Sequence, residues 1–221
     1  EMRNLEIYRT YFEEAYPNYA DAEYAVIADM IQALPSVDSA ISTLNSSCAD
    51  QVLALLLPLI KIKNYKSQIP FPIAIYNAAE KIILLKNSIP TLELSDSHIE
   101  IFEQLLNIEG FQLPTVSAIF HFCHPHVYPI VDRNIQAACA LLSNEFPDEL
   151  EAVSLPVLPV ANTTLQNKLT KYREFILFLS AVKGLHNMQH QTAYEYRNLD
   201  QALMVYGVPN KKLAAENHAN N

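Results

Sequence analysis

Apolar residues recur at helical spacing along most of this chain, and the breaks between runs fall on proline, glycine and capping side chains. After Asp21, the positions Ala22, Ala25, Val26, Ala28, Ile31 and Leu34 predict a first helix, stopped by Pro35. A second start is read near Ser36 or Asp38. Residues 49–64 predict another helix, bent or divided at Pro58, where the ring removes a donor and crowds the preceding turn. Pro70 and Pro72 precede a helix over 73–86 with Ile75, Ala79, Ile82 and Ile83 inward. The next spans Ser95 or Asp96 to Asn107, its start open by a turn because Ser97 and Glu100 also make a capping-box pattern. Beyond a turn at Gly110, Pro114 takes the first helical position and residues 115–122 continue the helix. Asp132 can cap a helix from Arg133 that carries Ile135, Ala138, Cys139 and Leu142. Pro156 and Pro159 leave 153–162 extended or looped. The longest helix is expected over 165–184, with Leu169, Tyr172, Phe175, Ile176 and Leu179 on one face. The last starts near Asn198 or Leu199 and ends before Gly207. The polar tail 210–221 is expected to fray. This pattern predicts an all-α fold over 1–209, as one domain or two intimate lobes.

Composition supports that class. There are three Gly against 13 Pro, and half of the 221 residues are apolar, so the chain can bury a core but is poorly supplied for nucleotide-binding loops. The formal charge is -9, from 15 Lys+Arg against 24 Asp+Glu, which disfavours diffuse binding to nucleic acid. A local patch remains open, because Lys61, Lys63, Lys66, Lys81 and Lys86 face one acid, Glu80, in their stretch. Cys48, Cys123 and Cys139 are too scattered for a disulfide framework and read as small buried hydrophobes. There is no signal-peptide pattern and no charge-free run of bilayer length, so a cytoplasmic monomer away from membranes is expected.

The densest candidate chemistry lies in EGFQLPTVSAIFHFCHPHVYPIVDRNI, from Glu109 to Ile135. Two helices joined by a tight turn can present backbone N–H groups to a phosphate, and here the turn is Gly110-Phe111-Gln112. Eighteen residues after Pro114 comes Asp132, in the context Tyr128-Pro129-Ile130-Val131-Asp132. This stretch resembles the helix-hairpin-helix DNA glycosylase superfamily, with its endonuclease III and adenine glycosylase branches. There, a hairpin of pattern Leu-Pro-Gly-hydrophobic-Gly is followed by a helix, here opening Thr115-Val116-Ser117-Ala118, and then by an aspartate in a Pro-hydrophobic-hydrophobic-Asp loop. The likeness covers about 107–140 residue by residue.

The resemblance implies a two-lobed glycosylase-like fold with its helix-hairpin-helix at about 96–123. It implies that Asp132 stabilises positive charge on the deoxyribose as the N-glycosidic bond breaks, after the base has been flipped from the stack. It places DNA contacts at Gly110, Phe111, Gln112, Thr115 and Arg133, with Tyr128 and Tyr172 as base-pocket residues. Bifunctional members carry a nucleophilic lysine where Pro114 stands, so the implied enzyme is monofunctional, without lyase activity. No iron–sulfur cluster or other cofactor is expected, since only Cys139 follows the aspartate. Gln112 stands in place of the hairpin's second glycine, and Glu109 puts an acid beside the implied phosphate site. A non-catalytic DNA-binding or protein-interaction module of the same fold is the alternative, and an unrelated helical protein with Asp132 as a plain cap is a third reading.

His121, Cys123, His124 and His126 are metal-ligand types, but they are expected to be ordinary loop and core-edge side chains, with no metal. Tyr8, Tyr11, Tyr16, Tyr19 and Tyr24 crowd one end and are expected to pack the two ends of the chain together, the alternative being that one stacks on a flipped base. Tyr194, Tyr196, Arg197 and Tyr206 form a second aromatic and basic edge, suited either to packing or to nucleic acid.

Overall fold

The computed structural model describes residues 1–17, 21–34, 80–108 and 110–221. The expected start near Ser36 or Asp38, the helix over 49–64 and most of the one over 73–86 lie outside the described residues. So do Tyr19, Cys48, the lysines from Lys61 to Lys66, and Glu109. The described residues form an all-α structure: α1 (Glu6–Ala15), α2 (Asp21–Gln32), α3 (80–86), α4 (Asp96–Leu106), α5 (Leu113–Cys123), α6 (Arg133–Glu145), α7 (Pro147–Leu150), α8 (Leu165–His190), α9 (Tyr196–Tyr206) and α10 (Pro209–Ala219). None of them is long and apolar enough to cross a membrane.

In α8, Leu169, Tyr172, Phe175, Ile176 and Leu179 are all buried. The helix also continues past the expected end at 184, as far as His190. Its last turns are held by tertiary contacts: His186 is buried, and its Nε2 accepts the Leu5 N–H at 3.1 Å. Gln191 then closes the helix in the left-handed region, φ 53°, uncommon outside glycine. In α4 the Ser95 start is the one used. In α5, Pro114 occupies the second helical position, not the first.

Three helices stand where none is expected: α1, the short α7 and α10. α1 lies before the first expected helix, in a stretch with few aliphatic residues. It forms because Tyr8 and Phe12, four apart, bury one face against α9 and α10. The tail expected to fray is α10, and Pro209 opens it at the first helical position, where a missing N–H costs nothing. Polar contacts hold it: Lys211 Nζ donates to the Ala15 carbonyl at 2.5 Å, Lys212 meets Glu145 at 3.0 Å, and Glu216 accepts from Tyr8 and Arg3 at 2.7 Å each.

The N-terminal tyrosines thus join the two ends of the chain. Tyr8 meets Tyr206 edge-on at 5.0 Å, and the Tyr16 hydroxyl donates to the Met204 carbonyl at 2.7 Å. A separate aromatic cluster lies elsewhere in the core. Phe102 stacks on Tyr172, with centroids 5.8 Å apart, and Phe120 lies edge-on to Tyr128 at 5.3 Å.

The end of α9 meets α6 at very short range. A Cβ added at Gly207 would stand 2.2 Å from the Asn134 carbonyl oxygen and 3.0 Å from the Ala138 nitrogen. Both neighbours are backbone and cannot swing away. Gly207→Ala is therefore expected to destabilise the protein by about 1–3 kcal/mol, the usual range for overpacking. Denaturant melts of the two proteins measure this; an unchanged midpoint would show that the two helices can move apart without cost.

Candidate functional site

Two helices flank the turn at Gly110, and its residues differ in what they turn outward. α4 and α5 pack together across a turn in which Gly110 has φ 84°, a conformation that favours glycine. Gly110 and Gln112 are exposed and Thr115 is half-buried. Phe111 is 2% exposed, and its N–H is given to the Ile108 carbonyl at 3.0 Å. Phe111 therefore anchors the turn in the core, and the DNA contact expected of it has neither ring nor N–H to make it.

From the end of α5 the chain crosses a short loop to α6. Three buried side chains hold that loop by its backbone. His121 Nδ1 donates to the Tyr128 carbonyl at 2.8 Å, the Tyr172 hydroxyl donates to the Pro129 carbonyl at 3.1 Å, and Ser117 Oγ accepts the Val131 N–H at 3.0 Å. Ser117 in turn donates to the Pro114 carbonyl at 2.9 Å. A buried loop must place its backbone polar groups somewhere, and here α5 and α8 supply the partners.

Asp132 stands at the end of this held segment. Its Oδ1 accepts the Ile135 N–H at 2.8 Å, so it is the N-cap of α6. It is half-buried, and the next residue, Arg133, is exposed.

Tyr128 and Tyr172 do not line an opening. Neither has any exposed surface. The Tyr128 hydroxyl donates to the Thr91 carbonyl at 3.0 Å, while that of Tyr172 serves Pro129. The base-pocket assignment is corrected: these two tyrosines are scaffold, because their rings are packed against Phe102 and Phe120.

The histidines diverge. The Tyr24 hydroxyl donates to His121 Nε2 at 2.6 Å, His124 Nε2 donates to the Leu85 carbonyl at 2.6 Å, and His126 faces Glu195 at 3.2 Å. Cys123 Sγ lies 3.8 Å from the Ile82 carbonyl. The second aromatic edge is packing: Tyr206 is buried against Tyr8, and the Tyr194 hydroxyl donates to Glu6 at 2.6 Å.

The structure brings one unexpected group to Asp132. Asp200, on α9, pairs with Arg197 one turn earlier at 2.8 Å. The Arg197 guanidinium lies 4.3 Å over the Tyr24 ring and 5.2 Å from that of Phe12. Asp200 borders a crevice of about 10 Å³, room for about one water, with Pro129, Ile130, Ile135, Leu179 and Leu203. Burial pushes the Asp200 carboxyl up to about 6; Arg197 opposes this and Asp132 adds to it. Burial, with Asp132 and Asp200, likewise pushes Tyr16 up to about 12. The two carboxyls thus lie within electrostatic reach of each other. The Arg197–Asp200 spacing of three is visible in the sequence as a helical ion pair. What it faces is not.

Comparison with protein-family models, with curated proteins and with solved structures finds no match.

His121 and His186 carry a pH dependence. Burial, the largest cause for each, pushes both down to about 4 from the ordinary 6.5. Each ring also accepts a hydrogen bond at Nε2, which only the neutral form can do. With folded affinity for the proton below the unfolded value, their contribution to stability is complete above about 6.5 and is lost as pH falls through about 4. Asp200 runs the other way, since the folded state favours its protonated form below about 6. Ring NMR should therefore find His121 and His186 neutral at about pH 5.5. A midpoint near 6.5 for either would contradict these bonding roles.

Proposed function

We propose that this protein is a monofunctional DNA N-glycosylase that removes a flipped base by hydrolysis at Asp132. The observation that carries the reading is the placement of Asp132: a half-buried carboxylate at a helix N-terminus, delivered by a loop whose backbone is held by α5 and α8. Its sequence context is the one that resembles the glycosylase superfamily. In the proposed reaction the C1′–N bond breaks with its electron pair leaving on the base. Water oxygen bonds to C1′, and the proton it releases ends on the base. A fixed carboxylate lowers the energy of the positive sugar between those events. Gly110, Gln112, Thr115 and Arg133 are the proposed DNA contacts.

A second reading is a non-catalytic DNA-binding or protein-interaction module. It is favoured by the crevice beside α6, which has room for a water and not for a base, and by Gln112 in place of a glycine.

Two substitutions separate cap from chemistry. Asparagine caps a helix about as well as aspartate, whereas alanine loses about 1 kcal/mol. Asp132→Asn should keep the melting temperature and lower excision by about 10²-fold or more. Asp132→Ala should lower both. The assay uses duplexes bearing single uracil, hypoxanthine, 8-oxoguanine or adenine opposite 8-oxoguanine. A wild-type protein that binds these duplexes but excises nothing would select the second reading. Wild-type rates for Asp132→Asn, on a duplex the wild type cleaves, would remove Asp132 from the mechanism.

The product should be an intact strand with an abasic site. Pro114 cannot form a Schiff base. Lys86, the nearest lysine before Pro114 in the sequence, has its amine bonded to the carbonyls of Gln32 and Leu34 at 2.9 and 2.7 Å. Borohydride should therefore trap no covalent protein–DNA adduct, and a reproducible adduct would overturn the monofunctional assignment.

A further inference from the structure

We infer that Ser88 is a nucleophile with His98 as its general base, forming an acyl-transfer centre for small esters with an apolar acyl group. This second activity is independent of the glycosylase reading. Its residues come from the end of α3, the first turn of α4 and the end of α5.

The assignment follows from how the protons must be shared. Ser88 lies two residues beyond α3, and its Oγ is 2.7 Å from His98 Nε2 and 2.6 Å from the Leu85 carbonyl oxygen. A hydroxyl has one proton to give, so one of these two receives it. The Leu85 carbonyl has two other donors, His124 Nε2 at 2.6 Å and the Ser88 N–H at 3.2 Å. A carbonyl oxygen offers two lone pairs, and these two bonds fill them. The Ser88 proton is therefore directed to His98 Nε2, which is the unprotonated nitrogen. His98 then carries its proton on Nδ1, where Ser95 Oγ stands at 3.0 Å to accept it. Ser95 gives its own proton to Ser97 Oγ at 3.0 Å. Although Ser95 is the N-cap of α4, its hydroxyl makes no capping bond and serves the buried His98 ring instead. Nucleophile, base and orienting group thus stand within hydrogen-bond reach of one another in that order.

The surroundings suit a base. Burial lowers the proton affinity of His98 and of His124, and for His98 the neighbouring His124 adds to this, so His98 is neutral at neutral pH. The groups that face His98 are Ser88 beyond α3, Ser95 at the start of its own helix, His124 of α5 with ring centroids 6.4 Å apart, and Tyr128. The Tyr128 hydroxyl lies 3.5 Å from Nδ1 and donates to the Thr91 carbonyl. His124 Nε2–H also lies 3.4 Å from Ser88 Oγ, which favours negative charge on that oxygen as its proton leaves. Ser88 is half-buried between the exposed residues Asn87 and Ile89. Ile89 is 85% exposed and Leu92 59%, so apolar side chains near the nucleophile are open to an acyl chain.

In the proposed step Ser88 Oγ bonds to the ester carbonyl carbon, and its proton moves to His98 Nε2. The bond to the leaving oxygen breaks with its electron pair on that oxygen, which takes the proton from His98. Water then bonds to the acyl carbon and gives a proton to His98, and Ser88 Oγ leaves with its electron pair and takes that proton back. Ester and water become acid and alcohol.

The test is labelling by an alkyl fluorophosphonate, in which a serine oxygen displaces fluoride from phosphorus, with the adduct located by peptide mass spectrometry. The wild type should carry the label on Ser88, and Ser88→Ala should take none. His98→Gln should slow labelling by about 10²-fold. Ser95→Ala should slow it by about tenfold, and Ser95→Thr, which keeps the hydroxyl, should restore it. Hydrolysis of p-nitrophenyl butyrate should follow the same order. A wild type that takes no label on Ser88 would overturn the proposal, and so would ester turnover that Ser88→Ala leaves unchanged. A readout on the wild type keeps the base testable if His98→Gln does not fold. Its labelling rate should be level over about pH 7–8 and fall below that as His98 gains its proton, followed by ring NMR. A rate that climbs about tenfold per pH unit over that range marks attack by an unassisted serine and overturns the role of His98.

Discussion

The site depends on how the buried backbone between Tyr128 and Val131 is satisfied. Two carbonyls and one N–H of that loop are taken by His121, Tyr172 and Ser117. Leaving such a group unpaired typically costs about 1–3 kcal/mol, so the loop has few competing positions once α5 and α8 are in place. Asp132 inherits this definition. It caps α6 because the loop arrives at one point with one direction, and the cap then fixes the carboxylate. His121 couples this loop to a second body of structure. Its other nitrogen takes the Tyr24 hydroxyl, and Tyr24 carries Arg197 on its ring face. One neutral histidine therefore stands between the loop that positions Asp132 and the cation that faces Asp200.

The closure of the chain ends serves the same region. α1 brings Phe12 against Arg197 and Tyr16 against the α9 backbone. α10 then locks α1 through Lys211 and Glu216. These contacts are mainly polar, and exposed ion pairs alone contribute little. Their effect comes from what they cover: Tyr8 and Tyr206 form a buried edge-on pair, with hydroxyls directed to Glu216 and Glu145. The apolar ring area supplies the drive, and the carboxylates satisfy the hydroxyls that burial would otherwise strand.

The parts of this structure legible in the sequence are those where local pattern and tertiary packing agree. α4, α5, α6, α8 and α9 carry apolar stripes, and the caps Ser95, Asp132 and Gly207 fall within a residue of their expected places. α10 is hard to read because its apolar stripe is thin; α1 has a well-defined inward face, but that face is aromatic, built on Tyr8 and Phe12, and few aliphatic residues mark it. The direction of aromatic side chains is equally unreadable. Tyr128 and Tyr172 do belong with the Asp132 segment, but pattern does not say whether a ring lines a pocket or fills a core. Both fill the core, and Tyr172 reaches the loop through its hydroxyl alone. Asp200 escapes for the complementary reason: it is far from Asp132 along the chain, and only the packing of α6 on α9 joins them.

That packing also explains why a cap and a charged site can share one residue. An N-cap aspartate gives one oxygen to the helix backbone, here Oδ1 to the Ile135 N–H. Accepting that bond does not consume the charge, and the helix N-terminus favours the ionised form. Capping therefore leaves the carboxylate available to a cation and holds the group still. On α9, Arg197 and Asp200 pair one turn apart within the same helix. The close approach at Gly207 keeps α9 in register with α6.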